Sequence, residues 1–105
     1  MDLKELETKI TEIFEHYAQK NGITLSDDYL IIKLTEELGE FIQAYLIYQK
    51  RCRPEKYLAE ADAQKDLAKE LSDVVCLCLI IANKLNINLD EAITKKWITR
   101  EWLKS

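Results

Sequence analysis

Two glutamates stand where their spacing assigns a protein interior. Between Tyr29 and Tyr48 an apolar ladder reads Leu30, Leu34, Glu37, Phe41, Tyr45, Tyr48, and between Asp62 and Leu85 a second reads Ala63, Leu67, Glu70, Val74, Leu77, Ile81. Steps of three and four put each ladder on one face of a helix. Glu37 and Glu70 therefore interrupt core-facing stripes. Each has an acidic neighbour three residues on, Glu40 and Asp73, about 60° round the axis and so on nearly the same face. Two helices thus each offer an inward-leaning pair of carboxylates.

Gathering four carboxylates costs free energy through desolvation and mutual repulsion, and one left buried without a partner takes up a proton or destabilises the fold. Oxygen donors with no cysteine or histidine beside them suit a hard cation, Mg²⁺ or Mn²⁺, better than zinc. The plainer reading is a solvated face: Lys33 lies four residues before Glu37 and Lys69 four before Asp73, the spacing of ordinary helical ion pairs. A di-iron bundle is disfavoured, because it pairs inward glutamates with Glu-x-x-His. The one histidine, His16, follows Glu15 directly and lies four after Glu12, so it reads as a surface residue.

The elements that must carry these acids follow from composition. With 2 glycines and 1 proline in 105 residues, there is little to build β-turns with, which disfavours sandwiches and α/β folds. The expected architecture is an all-α, four-helix bundle forming a single domain over residues 1–105. A first helix is marked by Leu3, Leu6, Ile10, Ile13, Phe14 and Tyr17, with Glu5, Glu7, Glu12 and Glu15 off the stripe as solvated charges and Gly22 as a left-handed cap. Ser26 is a fitting N-cap for the second helix, which Arg51-Cys52-Arg53-Pro54 should break. The third runs from about Asp62 to Leu85. Asn88 and Glu91 form a capping-box pattern for a fourth that carries Ala92, Ile93, Trp97, Ile98 and Leu103 to the C-terminus.

The net charge of −4 argues against a nucleic-acid binder. The longest apolar run, Val74 to Ala82, falls well short of the ~20 residues needed to cross a bilayer. Met1-Asp2-Leu3-Lys4-Glu5 does not resemble a signal peptide, and three cysteines are an odd number, so a cytoplasmic protein with free thiols is expected. Cys76 and Cys78 read as core fillers, as do Trp97 and Trp102. The Val74–Ala82 run is apolar all the way round, which calls for cover on every side. A homo-oligomer, dimer or tetramer, built through the long central helices would supply it.

Glu36-Glu37-Leu38-Gly39-Glu40 followed by Glu70-Leu71-Ser72-Asp73 resembles the Glu-Glu-x-x-Glu … Glu-x-x-Asp pattern of the MazG-like, all-α nucleoside triphosphate pyrophosphatases. The flanks agree: Lys33-Leu34-Thr35 precedes the first motif, Asp73-Val74-Val75 opens the apolar run after the second, and Leu89-Asp90-Glu91-Ala92-Ile93 leads into Lys95-Lys96. The resemblance spans about residues 26 to 100. It implies Mg²⁺-dependent hydrolysis of a nucleoside triphosphate between the α- and β-phosphates, as in nucleotide-pool cleaning. Glu37, Glu40, Glu70 and Asp73 would be the metal ligands, and Glu36 would orient or deprotonate the attacking water. Lys96 and Arg100 would hold phosphate oxygens, although many relatives have an asparagine near Thr99 and Arg100. Tyr45 and Tyr48 are candidates for lining a base pocket. The rival expectation is a catalytically silent helical module that binds a nucleotide or a protein.

Overall fold

Asp2 opens the first element by accepting a hydrogen bond from the Glu5 amide at 2.8 Å, so one of the orphan donors of a helix start is satisfied by the side chain just before it. The computed structural model describes residues 1–104, and these contain helices and turns but no strand. Helix α1 spans Leu3–Lys20, α2 Asp27–Tyr48, α3 Glu60–Lys84 and α4 Leu89–Ile93. A short 3₁₀ turn, Pro54–Lys56, lies in the connector between α2 and α3. No helix is long and apolar enough to cross a membrane.

The chain divides into two compact units. One comprises residues 28–78, hence α2, the connector and most of α3; the other comprises residues 1–27 together with the chain from Leu79 onward. In the first of these, α2 turns Leu30 and Ala44 fully inward, with Leu34, Glu37 and Phe41 half-buried between them. The expected ladder holds through Phe41. Beyond it Ala44 takes the inner place, leaving Tyr45 and Tyr48 exposed. On α3 the expected ladder is realised throughout: Ala63 and Leu77 are buried, and Leu67, Glu70, Val74 and Ile81 are half-buried. Within the single chain the Val74–Ala82 run is not covered all round. Leu77, Leu79, Ile80 and Ala82 are buried, whereas Val75 is 49% exposed and Cys78 is exposed. Cys78 therefore lies outside the core of the single chain.

In the other unit α1 realises only part of the stripe its apolar residues mark: Leu3, Ile10 and Phe14 are half-buried. Glu7, Thr11 and Ala18 are buried, while Leu6, Ile13 and Tyr17 stand open. The positions 7, 11, 14 and 18 form one helical face, of mixed residue type. Glu7, expected among the solvated acids, is only 3% exposed. Glu15 pairs with Lys84 at 3.0 Å, which ties the middle of α1 to the end of α3.

Three helices end in the same way. After α1 the Ile23 amide donates to the Ala18 carbonyl and Gly22 to Gln19; after α2 Arg51 donates to Leu46 and Lys50 to Ile47; after α3 Ile87 donates to Ala82 and Asn86 to Asn83. Each pair is a Schellman motif with its pivot in the left-handed region. The pivots Gly22, Lys50 and Asn86 have φ of 67°, 56° and 56°. Thus α2 stops at Tyr48 before proline is reached, although Arg53 is extended as a pre-proline residue should be.

The fourth helix departs from expectation. Asn88 caps it, accepting from the Glu91 amide at 3.0 Å, but the α-helix is only five residues long. It passes into a π-helical turn, Thr94–Ile98, closed by the Thr99 amide on the Thr94 carbonyl at 2.9 Å. Arg100, at φ 50°, breaks the path before a last 3₁₀ turn, Glu101–Lys104. Trp97 and Trp102 are 71% and 58% exposed rather than packed.

Candidate metal centre

The acids of interest lie within one unit, on α2 and α3. Each helix places one glutamate on its inner face, so the side chains of Glu37 and Glu70 retain only 14% and 13% exposure. Glu40 and Asp73, a turn further along, are exposed. One carboxylate oxygen from each of Glu37, Glu70 and Asp73 falls within 4.8 Å of the others, and the same holds for Glu36, Glu37 and Glu40. Glu37 belongs to both groups and joins the two helices.

Electrostatics show how poorly the chain satisfies this cluster. Loss of water pushes the Glu37 carboxyl above the usual carboxylate range, the Glu40 and Asp73 carboxylates push it further, and Lys33 opposes them. Glu70 is raised for the same first reason, then by Asp73, Glu40 and Asp66, against Lys69. The helical ion pairs of the plainer reading are weak here. Lys33 gives its 3.0 Å contact to Glu36 and stands 3.7 Å from Glu37, and Lys69 pairs with Glu70 at 3.9 Å rather than with Asp73. Such pairs contribute about 0–1 kcal/mol, while a buried polar atom left unbonded costs about 1–3 kcal/mol. Glu37 Oε2 and Glu70 Oε2 are buried without a hydrogen-bond partner. The nearby lysines leave that deficit in place.

A hard divalent cation fits the donor set. All the donors are carboxylate oxygens, and a metal–oxygen distance near 2.1 Å sets ligand oxygens roughly 3–4 Å apart, a separation that groups lying within 4.8 Å can reach. The cation would also supply the partner that the two buried oxygens lack.

The remaining residues singled out in the sequence are dispersed. Glu36 is 55% exposed and hydrogen-bonded to Lys33, whose ammonium is held charged above its ordinary range chiefly by that bond. The Tyr45 hydroxyl accepts from Gln49 Nε2 at 2.8 Å, and Tyr48 borders a recess with Lys50, Arg51 and Leu58. Lys96 lies in the π turn, its carbonyl receiving the Trp102 indole N–H at 2.8 Å. Lys96 and Arg100 belong to the other compact unit. The buried Glu7 was missed because a search for apolar spacing counts only apolar residues. The available signal was the run Glu7, Thr11, Phe14, Ala18, four residues of mixed type on one face. No family model, curated protein or solved structure matches this chain.

Proposed function

We propose that this chain is a Mg²⁺-dependent nucleoside triphosphate pyrophosphohydrolase, with Mn²⁺ as an alternative ion, which releases a nucleoside monophosphate and pyrophosphate. The observation that carries the reading is the pair of buried, unpartnered oxygens on Glu37 and Glu70 within a cluster of carboxylates from two helices. The reaction and substrate class rest on the resemblance of Glu36–Glu40 and Glu70–Asp73 to the MazG-like pattern.

In this reading Glu37, Glu40, Glu70 and Asp73 hold the cation. When bound, the ion neutralises charge on the phosphate oxygens and lowers the pKa of water, which is most of what phosphoryl chemistry requires. Glu36, fixed by Lys33 and still open to solvent, orients the water that attacks the α-phosphorus and accepts its proton. The resemblance assigns phosphate contacts to Lys96 and Arg100, and Tyr45 and Tyr48 are the candidates to border the base. A second copy of the chain covers the apolar side chains left open on the central helices, such as Ile42 at 50% and Val75 at 49%. Three free thiols accord with a reducing cytoplasm.

The test is a product assay over ribo-, deoxyribo- and modified nucleoside triphosphates, resolving monophosphate and pyrophosphate from diphosphate and phosphate. Monophosphate and pyrophosphate from at least one nucleotide, abolished by EDTA, are expected. Nucleotide binding with no product in any folded sample would instead identify a silent binding module.

A further inference from the structure

The unit that contains α1 holds a second buried carboxylate in a setting unlike the first. Glu7 is 3% exposed and its Oε1 has no hydrogen-bond partner. One turn on, the Thr11 hydroxyl is equally buried and equally unpartnered. Glu7 lines a recess of about 560 Å³ between the start of α1 and the end of α3, where Leu3, Ile87 and Leu89 give apolar wall and Asn83, Asn86 and Asp90 give polar groups. That volume is in the range of small-molecule sites. Among the described residues Glu7 pairs with Lys4, whose ammonium stands 3.6 Å from Oε1, beyond hydrogen-bond reach, on a side chain 74% exposed. Among the described residues Asp90 is engaged by the Thr94 hydroxyl at 3.4 Å.

We infer that this recess binds a small aliphatic ammonium compound, its N–H groups donating to Glu7 and its methylenes lying along Leu3, Ile87 and Leu89. An ionised carboxylate only accepts hydrogen bonds, so the ligand must bring donors, and a cation forms the stronger, charge-assisted bond. An anion is disfavoured by Glu7 and Asp90 together. Apolar walls suit a short alkyl stem, and Asp90 at the rim accommodates a second ammonium, so a diamine binds more tightly than a monoamine. Lys4, being mostly in water, moves aside at little cost. It competes with the ligand for Oε1.

The experiment is a melting-temperature and calorimetric titration of the full chain with n-butylamine, 1,4-diaminobutane and the neutral n-butanol. The two amines raise the melting temperature at millimolar concentration and butanol does not. Glu7→Gln, which keeps shape and removes charge, weakens amine binding by about tenfold or more, while Lys4→Met strengthens it. Asp90→Asn, a substitution outside the core, brings the diamine down to the monoamine's affinity, so the proposal remains testable if Glu7→Gln misfolds. Glu37→Gln leaves amine binding unchanged, which separates this recess from the carboxylates of α2 and α3. No response to either amine, an equal response to butanol, or amine binding that survives Glu7→Gln would overturn the proposal and leave the recess to ordered water.

Discussion

Glu37 on α2 and Glu7 on α1 are both withdrawn from water, and each has a carboxylate oxygen without a hydrogen-bond partner among the described residues. Their surroundings differ in kind. Around Glu37 stand Glu36, Glu40, Glu70 and Asp73, so the local charge is strongly negative and the cheapest remedy is a small ion of high charge. Glu7 has Lys4 near it, amides beside it and an apolar wall, a setting for a monovalent organic donor. A buried glutamate alone thus indicates little. The number of like charges that share its site indicates which partner the fold lacks.

The sharpest way to break this comparison is to neutralise the two glutamates separately. On the proposed function, Glu37→Gln is expected to lower Mg²⁺-dependent turnover by about 10²-fold or more, the size of loss seen when one electrostatic group is taken from a reacting centre. Glu7→Gln leaves turnover within a few-fold. Steady-state kinetics on both variants check this, and equal losses would erase the distinction.

Next in size is metal-free stability. Removing the Glu37 charge relieves repulsion and desolvation, so Glu37→Gln should gain about 1 kcal/mol in metal-free denaturant unfolding at neutral pH.

A pH effect follows from the raised carboxyls. Glu37 and Glu70 hold their protons more tightly folded than unfolded, so the folded state binds more protons in that interval and stability falls as pH rises. The metal-free protein should lose stability from pH 4.5, the ordinary carboxylate value, up through the raised folded values. Above these the loss is complete. Thermal unfolding at a series of pH values checks the slope, which Glu37→Gln and Glu70→Gln each reduce.

The smallest effects concern the two glycines, with opposite signs. Gly22 sits at φ 67° after α1, so Gly22→Ala should cost about 1 kcal/mol. Gly39 lies inside α2 with open space where a Cβ would stand, so Gly39→Ala should stabilise by about 0.5–1 kcal/mol. A loss of turnover in that more stable variant would show that substrate uses the open space beside the acids.

Much of this was legible from residue spacing because helices repeat. The α3 ladder, the inward placement of Glu37 and Glu70, the Gly22 pivot and the Asn88 cap all follow from local chemistry that one segment contains. The misses share another cause. Lys50 takes a left-handed pivot that its residue type disfavours, held by the Schellman bonds and by its ammonium over the Tyr57 ring at 5.0 Å. The π turn after Ile93 depends on a backbone bond one residue longer than the α-helical one, which side-chain periodicity does not encode. On α1 the apolar stripe and the buried face only partly coincide: Leu3, Ile10 and Phe14 are half-buried, but Glu7 and Thr11 face inward while Ile13 stays 63% exposed. What packs against a helix decides which of its faces is buried.

The central claim is that the α2 and α3 carboxylates lack a divalent cation that Glu7 does not need. Melting temperature against Mg²⁺ concentration, in the unaltered chain, Glu37→Gln and Glu7→Gln, tests it most directly, since an ion that binds only the folded state raises the transition as its concentration exceeds its dissociation constant. The account predicts a rise in the unaltered chain and in Glu7→Gln, and none in Glu37→Gln. A rise of equal size in Glu37→Gln, or no rise in the unaltered chain, would contradict it.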